Sequence, residues 1–133
     1  MALDIFNTFA TDEKAEAEGV VIDLGSGASI TVARSGNDKY IERILFEGEK
    51  YKEILATKTP ESKELDKKIT IEVLADTILL GFKGLSFKGK TLPYSKANAV
   101  KILGIKDFRK RIVEEAGKFE NYKALQEEDD AKN

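Results

Sequence analysis

Between residues 20 and 34 the apolar positions alternate with polar ones, and from residue 38 onward they recur every three or four residues. The first spacing belongs to half-buried strands and the second to amphipathic helices. Residues 20–24 (Val-Val-Ile-Asp-Leu) and 29–34 (Ser-Ile-Thr-Val-Ala-Arg) are rich in β-branched side chains. The linker Gly25-Ser26-Gly27-Ala28 is turn-sized, and its glycines tolerate positive φ, so a β-hairpin is predicted. Asn37 then suits a helix N-cap. The following segment, to about residue 57, sets Tyr40, Ile41, Ile44, Leu45, Tyr51, Ile54 and Leu55 at helical spacing. Gly48 falls on that stripe, where a close helix contact or a small kink would account for it.

Thr59-Pro60-Glu61 opens a further helix, with threonine as N-cap, proline in the first turn and an acid near the dipole's positive end. Leu65, Ile69, Val73 and Leu80 form one line on it. Ile71, Leu74, Ala75, Ile78 and Phe82 widen that line until the helix reads as the most buried of the domain. Lys-Ile-Thr-Ile-Glu-Val (68–73) also alternates as a strand does, so its first half fits either element. A turn-rich joint with three glycines crosses residues 78–94 and carries Phe82, Leu85, Phe87, Leu92 and Tyr94. Ser95 caps a short helix with Ala99, Ile102 and Leu103 inward and Gly104 at its end. Asp107 caps a final one with Phe108, Ile112, Ala116, Phe119 and Tyr122 in a stripe.

The pattern predicts an α+β, mostly helical fold: an N-terminal β-hairpin followed by about four α-helices, with flexible N- and C-terminal tails. Residues 1–19 form an arm, 20–124 a single domain and 125–133 a disordered acidic tail. The arm bears Leu3, Phe6 and Phe9 ahead of a polar stretch. It reads either as a loose lead-in or as a segment that docks on a neighbouring subunit or partner.

Composition narrows the chemistry. The 133 residues suffice for one core. Basic and acidic residues nearly cancel, 22 against 24, which argues against recruitment of nucleic acid by bulk charge. The cluster Arg109-Lys110-Arg111 is followed at once by Glu114 and Glu115 and reads as a solvated face. Cysteine and histidine are absent, so disulfides, Cys/His zinc sites and histidine relays are excluded. No apolar run is long enough for a membrane span, and the first residues lack the basic start of a signal peptide. A cytoplasmic protein is expected.

One stretch invites an enzymatic reading. Val-Val-Ile-Asp-Leu-Gly-Ser-Gly (20–27) is similar to the first motif of class I methyltransferases and to the first phosphate-binding turn of actin-like ATPases. Both need the glycines to lead onward into further strand–helix units, whereas Ser-Ile-Thr-Val follows here. Asp76, the one carboxylate inside an apolar run near the joint, reads as the polar side of an amphipathic helix. No catalytic residue, metal ligand or cofactor site is assigned, and the chain is expected not to be an enzyme.

Taken in order, the segments resemble the tail assembly chaperones of long-tailed, siphovirus-type bacteriophages. The resemblance runs from about Phe6 to Tyr122. It begins at Phe9-Ala10-Thr11-Asp12 and continues through Val32-Ala33-Arg34-Ser35-Gly36-Asn37-Asp38-Lys39-Tyr40. The joint supplies Leu79-Leu80-Gly81-Phe82-Lys83-Gly84-Leu85, Gly89-Lys90 and Leu92-Pro93-Tyr94-Ser95. Asn98 through Leu103 and Asp107-Phe108 through Asn121-Tyr122 complete the order. That family often has tryptophan, preceded by an acid, where this chain has Gly81-Phe82. Phenylalanine keeps the ring and loses the indole donor.

The resemblance implies a non-enzymatic factor of virion morphogenesis. Such a protein binds the tape measure protein, keeps it soluble while tail tube subunits assemble, and is absent from the mature virion. It also implies, in many such phages, a frameshifted longer form that contacts the tail tube protein. Homo-oligomerisation stays open; nucleic acid and membrane are not expected partners. Phe82, Leu85, Tyr94, Phe108 and Phe119 are the expected partner-binding residues, with core packing as the competing explanation for each. The alternative is a small structural tail or connector subunit retained in the virion.

Overall fold

The computed structural model describes residues 1–124, and the predicted acidic tail lies outside them. Two short helices, α1 (Ile5–Phe9) and α2 (Glu13–Glu18), precede the hairpin. Each starts at an aspartate, Asp4 or Asp12, whose carboxylate accepts the backbone N–H three residues on. The predicted hairpin follows as β1 (Val20–Gly25) and β2 (Ala28–Val32), antiparallel, with Ile22 facing Ile30 and Val20 facing Val32. Its turn places Gly25, Ser26 and Gly27 at positive φ, as a two-residue hairpin loop demands.

The layout nevertheless departs from a hairpin followed by four helices. Among the described residues there are eight helices and five strands. The hairpin is the first part of a three-stranded antiparallel sheet in the order β1-β2-β3. Its third strand, β3 (Leu79–Lys83), comes from residues expected to continue the buried helix. Phe82 pairs with Ile30 and Leu79 with Val32, across an irregularity in the register. That helix, α5 (Pro60–Thr77), ends at Thr77, whose hydroxyl donates to the Val73 carbonyl, and Ile78 leaves helical geometry at φ −120°. The free edge of β2 explains the switch: pairing there satisfies a row of backbone groups and buries Leu79 and Phe82, which outweighs helical periodicity. The alternating stretch at 68–73 is helical.

The other departures are breaks. The segment after Asn37 divides at Tyr51 into α3 (Asp38–Lys50) and α4 (Lys52–Ala56). The joint holds a small hairpin, β4 (Ser86–Phe87) and β5 (Lys90–Thr91). After α6 (Lys96–Leu103), the last segment divides at Gly117 into α7 (Lys106–Ala116) and α8 (Phe119–Tyr122). Ile105, not Asp107, is the N-cap of α7, and no side chain caps it. The N-terminal arm, read as a loose lead-in or as a docking segment, holds two short helices, and α2 is tied to the chain just past the end of β2. The Arg34 N–H donates to the Glu16 carbonyl, and the two side chains form an ion pair at 2.9 Å.

The core lies between one face of the sheet and the helices α5, α6 and α7. Ile30, Val32, Ile78, Leu79, Leu103, Ile112 and Ala116 have no exposed surface. Helix α5 is buried on two sides, by Ile69, Val73 and Thr77 and by Ile71, Leu74 and Ala75. It packs against α3 and α4, α6 and β3. Asn37, Thr59 and Ser95 each accept a backbone N–H with the side chain, as the sequence predicts. The two ends of the domain meet. The Asp12 N–H donates to the Tyr122 carbonyl, the Ala124 N–H donates to the Ala10 carbonyl, and Thr11 bridges to Lys123.

Candidate functional site

The five residues expected to contact a partner are placed unequally. Phe82 is 6% exposed in the sheet, its ring edge-on to Tyr94 at 5.2 Å between centroids. Tyr94 is exposed beside it. Leu85 and Phe108 are half-buried against the same core. Phe82, Leu85 and Tyr94 thus belong to the joint, and Phe108 packs on the shared core from α7. Phe119 lies elsewhere, near Phe9 (6.4 Å) and under the Arg34 guanidinium (5.9 Å). Only Tyr94 among the five presents a wide surface to solvent.

The glycine-rich turn at 25–27 joins strand to strand. Asp23 is used locally, its carboxylate accepting the Gly25 N–H at 2.8 Å. Asp76 of α5 meets Arg43 of α3 and Lys96 next to the α6 cap, and Arg43 also donates to Glu47 at 3.1 Å. This ionic knot ties three helices together and occupies both carboxylate oxygens of Asp76. No group of acids suited to hold a metal ion occurs among the described residues, and no helix among them is long and apolar enough to cross a membrane.

Among the described residues Glu115 is the most deeply placed acid, 4% exposed at the end of α7. Its carboxylate accepts from Lys118 at 2.9 Å and faces Arg111 at 3.5 Å. The Lys118 hydrogen bond holds its pKa below the ordinary value, and burial opposes that shift. The ionised form is thus bound more tightly in the fold than in the unfolded chain. Stability from this group is complete above its unfolded pKa near 4.5 and is lost as pH falls through the folded value. Glu115→Gln is expected to cost about 1 kcal/mol at neutral pH. Urea melts should show the difference from wild type shrinking as the medium is acidified below pH ~4.

Two exposed apolar surfaces remain: the arm, one of whose two sequence readings is a docking segment, and α3, which the sequence did not single out. Leu3, Ile5, Phe6 and Phe9 of the arm are all exposed, Phe6 to 75%. On α3, Ile41, Ile44, Leu45 and Phe46 are exposed as well, Leu45 to 68%. Helical spacing places Ile41, Ile44 and Leu45 on one stripe with Gly48, for which a close helix contact or a small kink is the expected explanation. The face turned toward α5 instead carries Tyr40, Arg43 and Glu47, and Glu47 is the helix's one buried residue. A high amphipathic contrast in the sequence was the available signal; it told which residues share a face but not which way that face points.

Comparison with known proteins supplies one match. Residues 35–133, about three quarters of the chain, match the family described as YdaY prophage protein. The match takes in every element from α3 onward and leaves out α1, α2, β1 and β2. No curated protein and no solved structure matches the chain.

Proposed function

We propose that this chain, which belongs to the YdaY prophage protein family, serves phage particle assembly as a tail assembly chaperone. In this reading it binds the tape measure protein in the host cytoplasm, keeps it soluble until tail tube subunits enclose it, and is then released. It performs no chemistry of its own. The observation that carries the reading is the concentration of large apolar side chains left in solvent on α1 and α3. On α3 these side chains share one helix face, and exposed apolar patches mark interaction sites. A long helical client exposes apolar stripes, and an amphipathic helix is a natural cover for them.

The test is co-expression with the tape measure protein encoded by the same prophage. The client should move from the insoluble to the soluble fraction only when the chain is present. An unchanged distribution would sink the reading. Mass spectrometry of purified particles should lack the chain; a stoichiometric copy there would make it a structural tail or connector subunit instead.

A further inference from the structure

The outer face of α3 has a defined chemistry. Ile41, Ile44, Leu45 and Gly48 recur at three- and four-residue spacing and so form one stripe along the helix. All four are exposed. A Cβ placed on Gly48 would meet no atom within 4 Å, so the helix backbone itself is open to a neighbour at that point. Asp38, Glu42 and Glu49, all exposed, line one border of the stripe. The other border is the Tyr40–Glu47 side, which is turned toward α5. The approach is therefore apolar in the middle and acidic on its single free edge.

We propose that this face docks an amphipathic helix of another protein whose apolar stripe is edged with lysine or arginine. Charge selects this occupant over a second copy of the chain. A two-fold antiparallel pairing of α3 with itself sets residue 41 opposite residue 48 and brings Glu42 against Glu49 of the other copy. Like charges so placed oppose association. A parallel pairing would bring the acidic edge of one copy to the edge that α5 covers in the other. A basic edge on the partner meets neither obstacle, and Gly48 lets its backbone come close. The inference deepens the chaperone reading and rests on it only for the biological identity of the helix.

The experiment uses the full chain and two synthetic helical peptides with the same leucine stripe, one edged with lysine and one with glutamate. Fluorescence anisotropy should show the lysine-edged peptide binding about tenfold more tightly, with the gap closing as salt is raised. Leu45→Lys should weaken that binding at least tenfold with an unchanged circular dichroism spectrum and melting temperature, since Leu45 is 68% exposed. The pair Glu42→Lys and Glu49→Lys should reverse the peptide preference. Binding of neither peptide, equal binding of both, or binding unaffected by Leu45→Lys overturns the assignment. So does a sedimentation result in which the chain is a dimer that Leu45→Lys converts to a monomer. Any of these could occur with the client still solubilised in co-expression, which would remove the α3 site and keep the chaperone reading.

Discussion

Gly84→Ala is expected to be less stable than wild type by about 2–4 kcal/mol. Gly84 follows β3 and has φ +70°. A side chain in that left-handed region costs about 1–2 kcal/mol by itself. The added Cβ would also fall 2.4 Å from the Gly27 carbonyl oxygen and 3.0 Å from its carbonyl carbon. Both are backbone atoms of the β1–β2 turn, so relief requires the turn or the end of β3 to move, and strain of this kind costs about 1–3 kcal/mol. Gly81, within β3, is the control. Its Cβ would rest 3.6 Å from Thr31, an ordinary contact, and Gly81→Ala should change stability by less than about 1 kcal/mol. Urea denaturation of the three chains separates the cases. Equal midpoints for Gly84→Ala and wild type would show that the two turns do not pack as described.

The second large effect is expected at Tyr122. The residue has no exposed surface, and its hydroxyl donates to the Val32 carbonyl at 2.9 Å. Tyr122→Ala should cost about 3–5 kcal/mol, the usual penalty for emptying an aromatic site. Tyr122→Phe keeps the ring and should cost about 1–2 kcal/mol through the lost hydrogen bond. The phenol also adds a pH dependence. Burial, as the leading cause, pushes its pKa up from 10.0 to about 12. A raised folded pKa contributes stability that is complete below the unfolded value and is lost as pH rises. Between pH 10 and about 12, wild type should therefore lose stability relative to Tyr122→Phe by about 1.4 kcal/mol per pH unit. Comparing the two chains cancels the titration of lysines and of the other tyrosines. A constant difference across that range would place the hydroxyl in water.

Both sites show which parts of the fold the sequence could reveal. The caps at Asn37, Thr59 and Ser95 and the first hairpin turn depend on neighbours a few residues away, so side-chain chemistry alone marked them. The β3 strand depends on β2, some fifty residues earlier. Nothing within Leu79–Lys83 announces that the β2 edge will be free, and the apolar positions there fit a helix equally well. The orientation of α3 was hidden for the same reason. Arg43 faces inward because Asp76 of α5 awaits it, a match between residues 33 apart. For Phe82 the resemblance implies a partner contact and core packing is the competing explanation; its pairing with Ile30 at the β2 edge accounts for its burial. The α3 stripe, which periodicity groups on one face without giving its direction, is the exposed one.

The meeting of residues 10–12 with residues 122–124 has a topological consequence. Ala10 and Ala124 are joined by a hydrogen bond of 3.0 Å, so a few linking residues would close the domain into a ring. The exposed turn at Gly25–Gly27 is then a natural place to reopen it. Such a circular permutant would place new termini at the sheet's edge and leave α3 unchanged. The Ile5–Phe9 segment lies outside the ring so closed and could be omitted or attached elsewhere. Its contribution to client binding could then be measured apart from any contribution to folding.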